Sequence, residues 1–160
     1  MCAFAKTLLR LLGRVPIALV LLAMATVATT VRPACAQGGA SFQVIVNAAN
    51  PIASLTREEA SRLFLRKVVT WKPGEAVQPV DQGEGSPVRR SFSKAIHRKD
   101  IPGVRRYWEE LIFTGQGVPP AERASDEEVV AFVAASRGAI GYVAPSAPLG
   151  RKVRAIRIIE

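Results

Sequence analysis

From residue 42 onward the apolar positions switch between two periods, and each switch marks a change of element. Phe42 to Val46 (FQVIV) is a short, β-branched apolar run, which predicts a buried strand. Asn47 to Pro51 (NAANP) breaks it. Thr56-Arg57-Glu58-Glu59 is a capping box, with Thr56 as the cap and Glu59 reaching back. The helix that follows buries Ala60, Leu63 and Phe64 and ends near Arg66; Pro73-Gly74 marks a turn after Trp71. Val77 to Val80 (VQPV) reads as a second strand, and Pro79 puts it at an edge or at a strand end.

Ser86-Pro87 opens a second helix, whose Val88, Phe92, Ala95 and Ile96 fall at helical spacing. Pro102 separates it from a third, where Val104, Tyr107, Trp108, Leu111 and Ile112 form an apolar stripe. Thr114 to Ala124 (TGQGVPPAERA) is a Gly/Pro-rich loop. Ser125-Asp126-Glu127-Glu128 is a second capping box, before a helix that buries Val129, Val130, Phe132 and Val133. Ala139 to Val143 (AIGYV) is a third strand. Arg151 to Ile159 alternates apolar and basic residues as a fourth, read as an edge strand guarded by Arg151, Lys152, Arg154 and Arg157. Strands and helices interleave, so the class is α/β.

The segment before residue 42 has a different pattern. Its first 36 residues hold no acid; they carry Lys6, Arg10 and Arg14, an apolar run from Val15 to Ala28, and then Ala34-Cys35-Ala36. That order describes a secretory signal peptide over residues 1–36, cleaved after Ala36, and it implies a periplasmic protein. Residues 37–41 read as a flexible tail and residues 42–160 as a single domain. The alternatives are a retained anchor and lipid attachment at Cys35. The apolar run is shorter than the ~20 residues a spanning helix needs, and Arg32 stands where a lipoprotein signal would want an aliphatic residue.

Removing the leader changes the charge and the chemistry. Four of the 22 basic residues and none of the 13 acidic ones lie in it, so the remainder carries 18 against 13, a net charge of +5. A basic domain suits a small anion, an anionic surface or an acidic partner; without a recognition motif, nucleic acid is not expected. Both cysteines lie in the leader, which excludes thiolate metal sites from the domain. No cofactor is implied. His97, followed by Arg98 and Lys99, reads as part of a charged solvent face, and no serine elbow, carboxylate pair or histidine cluster marks an enzyme. Asp81 and Glu84 alone are a weak cation signal, and Tyr107 and Tyr142 read as core.

Three of the helix starts differ in charge. Acidic residues follow Thr56 and Ser125, matching the positive end of the helix, whereas Arg89 and Arg90 follow Ser86. An anion held by Ser86, the free N–H groups and a guanidinium would offset the misplaced charge. Exposure to water, or pairing with Asp81 or Glu84, would do so without a ligand.

The ordered landmarks resemble a known family. Asn47 to Pro51, Leu55 to Glu59, Leu63-Phe64-Leu65 leading to Trp71, and Gly138 to Val143 (GAIGYV) are similar to the second lobe of the substrate-binding proteins of phosphate ABC transporters. Gly85 to Phe92 lies where that family carries its G-S-G-T-R-x-x-F phosphate loop. The resemblance implies a single lobe of a type II periplasmic-binding-protein fold. It also implies a non-enzymatic solute-binding function, with phosphate or a similar oxyanion as ligand and an ABC permease or another envelope protein as partner. Carried across residue by residue, the implied ligand-binding residues are Gly85, Ser86, Val88 and Arg89, with Gln82 and Arg90 secondary. Pro87 replaces a glycine, Val88 replaces a threonine, and Gln82 stands where many members have another arginine. Those departures, and a length sufficient for one lobe, leave open a periplasmic interaction domain that keeps the scaffold without the ligand.

Overall fold

The structure is a computed structural model that describes residues 42–71 and 74–160. The expected signal peptide, the tail and Pro73 lie outside these residues.

Strand β1 (Gln43–Asn47) holds the centre of a six-stranded mixed sheet. It runs antiparallel to β5 (Ala139–Val143) on one side and to β6 (Val153–Ile159) on the other. Two strands then join in parallel: β2 (Ser54–Thr56) beside β6, and β3 (Gln78–Gln82) beside β5. The last strand, β4 (Ala121–Arg123), runs parallel to β3. The order is β2-β6-β1-β5-β3-β4.

Strand alternation divides the apolar residues between two faces. Val44, Val46, Ile140, Tyr142 and Ile156 join a core with Ala60, Leu63 and Phe64 of helix α1 (Arg57–Phe64) and with Phe92 of helix α2 (Pro87–Phe92). Ile45, Val80, Ala139, Val143 and Val153 face the other way, against Val129 and Val133 of helix α4 (Asp126–Ala135). Helix α3 (Ile101–Phe113) adds a smaller cluster of Val104 and Trp108 with Leu65. Gly141 sets the seating of α4, since a Cβ there would lie 2.7 Å from Val129 and 2.8 Å from Val80.

Both expected capping serve as helix starts, though one is built differently. Thr56 and Glu59 form the reciprocal box of α1. Ser125 caps Glu128 of α4, but the Glu128 carboxylate accepts from the Ala124 N–H, one residue earlier than a box requires. Asn47, at the end of β1, donates through Nδ2 to the carbonyls of Val133 (2.9 Å) and Ala134 (3.2 Å) and so closes the far end of α4. Pro79 is the second residue of β3, an interior strand that runs on past Val80 to Gln82; the β3–β4 pairing begins only at Val80, so the missing N–H interrupts no ladder on that side.

Four expectations need correction. Strand β6 lies between β2 and β1, so it is not an edge. Its Arg154 donates to the carbonyls of Asn50 (2.7 Å) and Ile52 (2.6 Å) and pins the loop after β1, rather than guarding against pairing. Pro102 lies inside α3, in the first turn after the Asp100 cap, where its missing N–H is harmless. The loop over residues 114–124 contains β4. Ile112, counted in the buried stripe of α3, is 54% exposed.

Candidate functional site

The residues that the sequence nominated run from Gln82, the last residue of β3, through the turn to Arg90 in α2, and the local geometry follows from a serine cap. Ser86 has an extended backbone, its N–H donates to Gly83 O at 2.9 Å, and Pro87 begins the helix. Its Oγ accepts from the N–H groups of Val88 (3.1 Å) and Arg89 (3.2 Å). The Ser86 hydroxyl proton goes to Gln82 Oε1 at 2.5 Å. The cap thus takes up both amides expected to face an anion, and the hydroxyl is itself committed.

Gln82 is the hub that holds the turn in place. Its buried amide donates to Asp126 Oδ1 at 2.7 Å and to Tyr142 O at 3.0 Å. One side chain therefore ties β3 to the start of α2, to β5 and to the first residue of α4. Asp126 also accepts the Ala144 N–H, at 3.1 Å.

Arg89 points into the protein. It is buried, with its guanidinium 3.3 Å from Asp81 and 2.6 Å from Glu122, and it also donates to Gln82 O. Asp81 in turn accepts from the Tyr142 hydroxyl. Burial opposes the Arg89 charge, yet Asp81 and Glu122 outweigh it and raise the guanidinium pKa above its ordinary value. Burial pushes the Asp81 carboxyl up, against the attraction of Arg89. Burial, reinforced by Asp81, also pushes the Tyr142 phenol up, so it remains a donor. One cation thus stands between two carboxylates. Among the described residues, Arg89 Nε is the only buried side-chain polar atom without a partner.

Arg90 and Gly85 stay on the outside. Arg90 is exposed and donates to Gly85 O at 3.0 Å. Glu84 pairs with Arg105 at 3.2 Å on the surface. The nominated residues therefore lie together at the β3–α2 junction but, among the described residues, present no converging set of free donors. Sequence reasoning missed Glu122, Asp126 and the Tyr142 hydroxyl. Glu122 lies 33 residues beyond Arg89 and reaches it only through the β3–β4 pairing, for which the sequence carries no local signal.

His97 also departs from expectation. Helix α2 continues as a π-helical turn over Ser93–His97, which turns the imidazole inward instead of to solvent. Its Nδ1 lies 2.9 Å from Ser61 Oγ, and its ring meets Phe92 edge-on at 5.3 Å. Burial, then Arg89 and Lys99, lower its pKa to about 4. Among the described residues no third group is hydrogen-bonded to the His97 ring to orient it, so the Ser–His contact is not a nucleophilic constellation there. Phe92 stacks on Tyr142 at 3.8 Å, which joins this layer to the Asp81–Arg89 pair. Among the described residues no group of three or more His, Cys, Asp and Glu could hold a metal, and no helix is long and apolar enough to cross a membrane.

The sheet and its helices share their fold with part of the solved phosphate ABC transporter substrate-binding proteins. No protein-family model matches the chain, and no curated protein matches it. Three solved structures carry the likeness. An ABC-type phosphate transport receptor from Vibrio cholerae superposes with a TM-score of 0.58 at 20% identity, over 74% of this chain and 46% of its own. A putative phosphate ABC transporter substrate-binding protein from Clostridium perfringens, with bound phosphate, has the same score and identity over 74% and 44%. A possible phosphate binding protein from Planctomyces limnophilus has a TM-score of 0.57 at 21% identity over 75% and 42%. The chain spans less than half the length of each.

Proposed function

We propose that the chain is an exported, non-enzymatic module of ABC-type phosphate uptake or sensing that works through protein contact and does not cage free phosphate at the Ser86 turn. One observation carries this reading: Arg89, the charge an oxyanion would need, is buried between Asp81 and Glu122. The Ser86 hydroxyl and the two amides beside it have partners too. An anion there would have to displace these bonds while approaching two carboxylates. The net charge of +5 expected for the exported domain suits an acidic protein partner.

A second reading is direct oxyanion binding. It is favoured by the fold shared with a phosphate-bound structure, and by exposed Gly85 and Arg90 beside the Ser86 cap. Isothermal titration with phosphate, sulfate and molybdate separates the two. The first reading expects no saturable heat at millimolar phosphate. Saturable heat at micromolar phosphate, lost in Ser86→Ala and Arg90→Ala, would establish the second. The export leg has its own check: sequencing the N-terminus of the secreted protein should return Gln37 as its first residue.

A further inference from the structure

A charge imbalance runs along the outer side of α2 and the π-turn that continues it. From Gly85 to Lys99 the chain holds five basic residues and no acid. Arg89 turns inward and is matched there, whereas Arg90, Lys94, Arg98 and Lys99 are exposed. Among the described residues none of these four makes an ion pair. Arg90 and Lys94 stand four residues apart, a like-charge spacing that weakens a helix. The wide turn then carries the chain on to Arg98 and Lys99. Arg98 closes it at φ 53°, a left-handed position that glycine fills more easily. The fold thus keeps an unmatched cationic strip at some cost to its own stability.

The acids that border the strip are already engaged, with one exception. Glu84 pairs with Arg105 at 3.2 Å, and Glu109 lies 3.9 Å from the same guanidinium. Asp100 accepts the Gly103 N–H at 2.9 Å, as the cap of α3. Glu160 pairs with Arg57. Glu58, which lines a shallow cleft together with Arg98, has no ion pair; it sits in the first turn of α1, where the helix itself favours it. Four cations against one such acid leave the strip positive.

What the strip lacks narrows the partner. Protein interfaces draw their affinity from a buried apolar or aromatic centre. Every exposed large apolar side chain among the described residues lies outside residues 85–99, and between the cations the exposed positions are Pro87 and Ala95. A second copy on the same face would set the cations against one another. An anionic bilayer needs no apolar anchor, because each Lys or Arg near its surface contributes through charge alone.

We propose that this strip lies against the surface of an anionic bilayer, with lipid phosphates meeting Arg90, Lys94, Arg98 and Lys99, so that the exported domain works at the membrane. The proposal rests on the export reading above and is independent of what the Ser86 turn binds.

Co-sedimentation of the purified secreted protein with vesicles tests it. Vesicles of phosphatidylglycerol in phosphatidylcholine should bind the protein at low salt, and vesicles of phosphatidylcholine alone should not. Binding should vanish by about 1 M salt, where charges are screened within ~3 Å. Lys94→Gln combined with Lys99→Gln should lower the partition coefficient on the order of thirtyfold. Both positions are exposed, so the urea midpoint should not fall. Arg151→Gln combined with Lys152→Gln removes the same charge from the turn before β6 and should leave most of the binding intact. Equal losses in the two double variants would reduce the effect to net charge and overturn the strip. Failure to bind at low salt, or binding that ignores Lys94 and Lys99, would also overturn it, while the protein-contact reading would still stand or fall on the phosphate titration. Polyglutamate that binds more tightly than the vesicles, through the same lysines, would overturn it in favour of an acidic protein. Release from the vesicles by millimolar phosphate at constant ionic strength would overturn it in favour of a pocket for the free ion.

Discussion

Arg89 and Arg66 each stand where local helix rules favour another residue, and the fold treats them in opposite ways. Arg89 sits in the first turn of α2, where a helix prefers negative charge, and tertiary structure encloses it with Asp81 and Glu122. Arg66 sits at a left-handed position that prefers glycine, and among the described residues it makes no ion pair. At Arg89 the helix dipole opposes the charge; at Arg66 only the backbone angle is unfavourable, since a cation suits the end of a helix. What separates them is whether the topology returns an acid to the same place. A misplaced charge points to a ligand only where the fold leaves it unmatched.

The largest effect should come from opening the closed turn. Arg89→Ala leaves Asp81 buried without its cation and should destabilise the domain by about 3–5 kcal/mol in urea unfolding. Combining Arg89→Met with Asp81→Asn should recover part of that loss, because neither charge then stays buried alone.

Acid should weaken the layer beneath the same turn. The His97 pKa is lowered to about 4 in the fold, against 6.5 in the unfolded chain, so the unfolded state binds the proton more tightly. The stability contributed by the neutral ring is complete above pH 6.5 and is lost as pH falls towards 4, by roughly 3 kcal/mol at most. His97→Gln should flatten that stretch of the stability–pH curve.

Smaller changes sharpen the contrast. Ser86→Ala removes a cap that serves two N–H groups and should cost about 1 kcal/mol. Arg66→Gly should have the opposite sign, gaining up to about 1 kcal/mol by relieving the left-handed backbone. If Arg66→Gly destabilised the domain instead, Arg66 would be a structural residue like Arg89 and the contrast would fail.

Much of this architecture is written in local sequence. The caps at Thr56, Ser86 and Ser125, and the strand Ala139–Val143, combine apolar periodicity with capping chemistry that acts within four residues. Three-residue strands such as β2 and β4 exist only because a neighbour pairs with them, so their own residues announce nothing. The charged residues after His97 suggest an outer face, but a π-turn shifts the helix phase there and carries the ring inward. The candidate site was legible as a turn but not as a closed one. Ser86 and Arg89 are neighbours in sequence; Glu122 and Asp126, which complete their network, arrive from β4 and α4.

The most direct test of the closed turn is a double-mutant cycle between Arg89 and Asp81, followed by urea unfolding with and without millimolar phosphate at constant ionic strength. The account predicts a coupling of about 2 kcal/mol or more that phosphate leaves unchanged. A coupling near zero, with phosphate stabilising the parent but not Arg89→Met, would mean that the guanidinium serves a ligand after all.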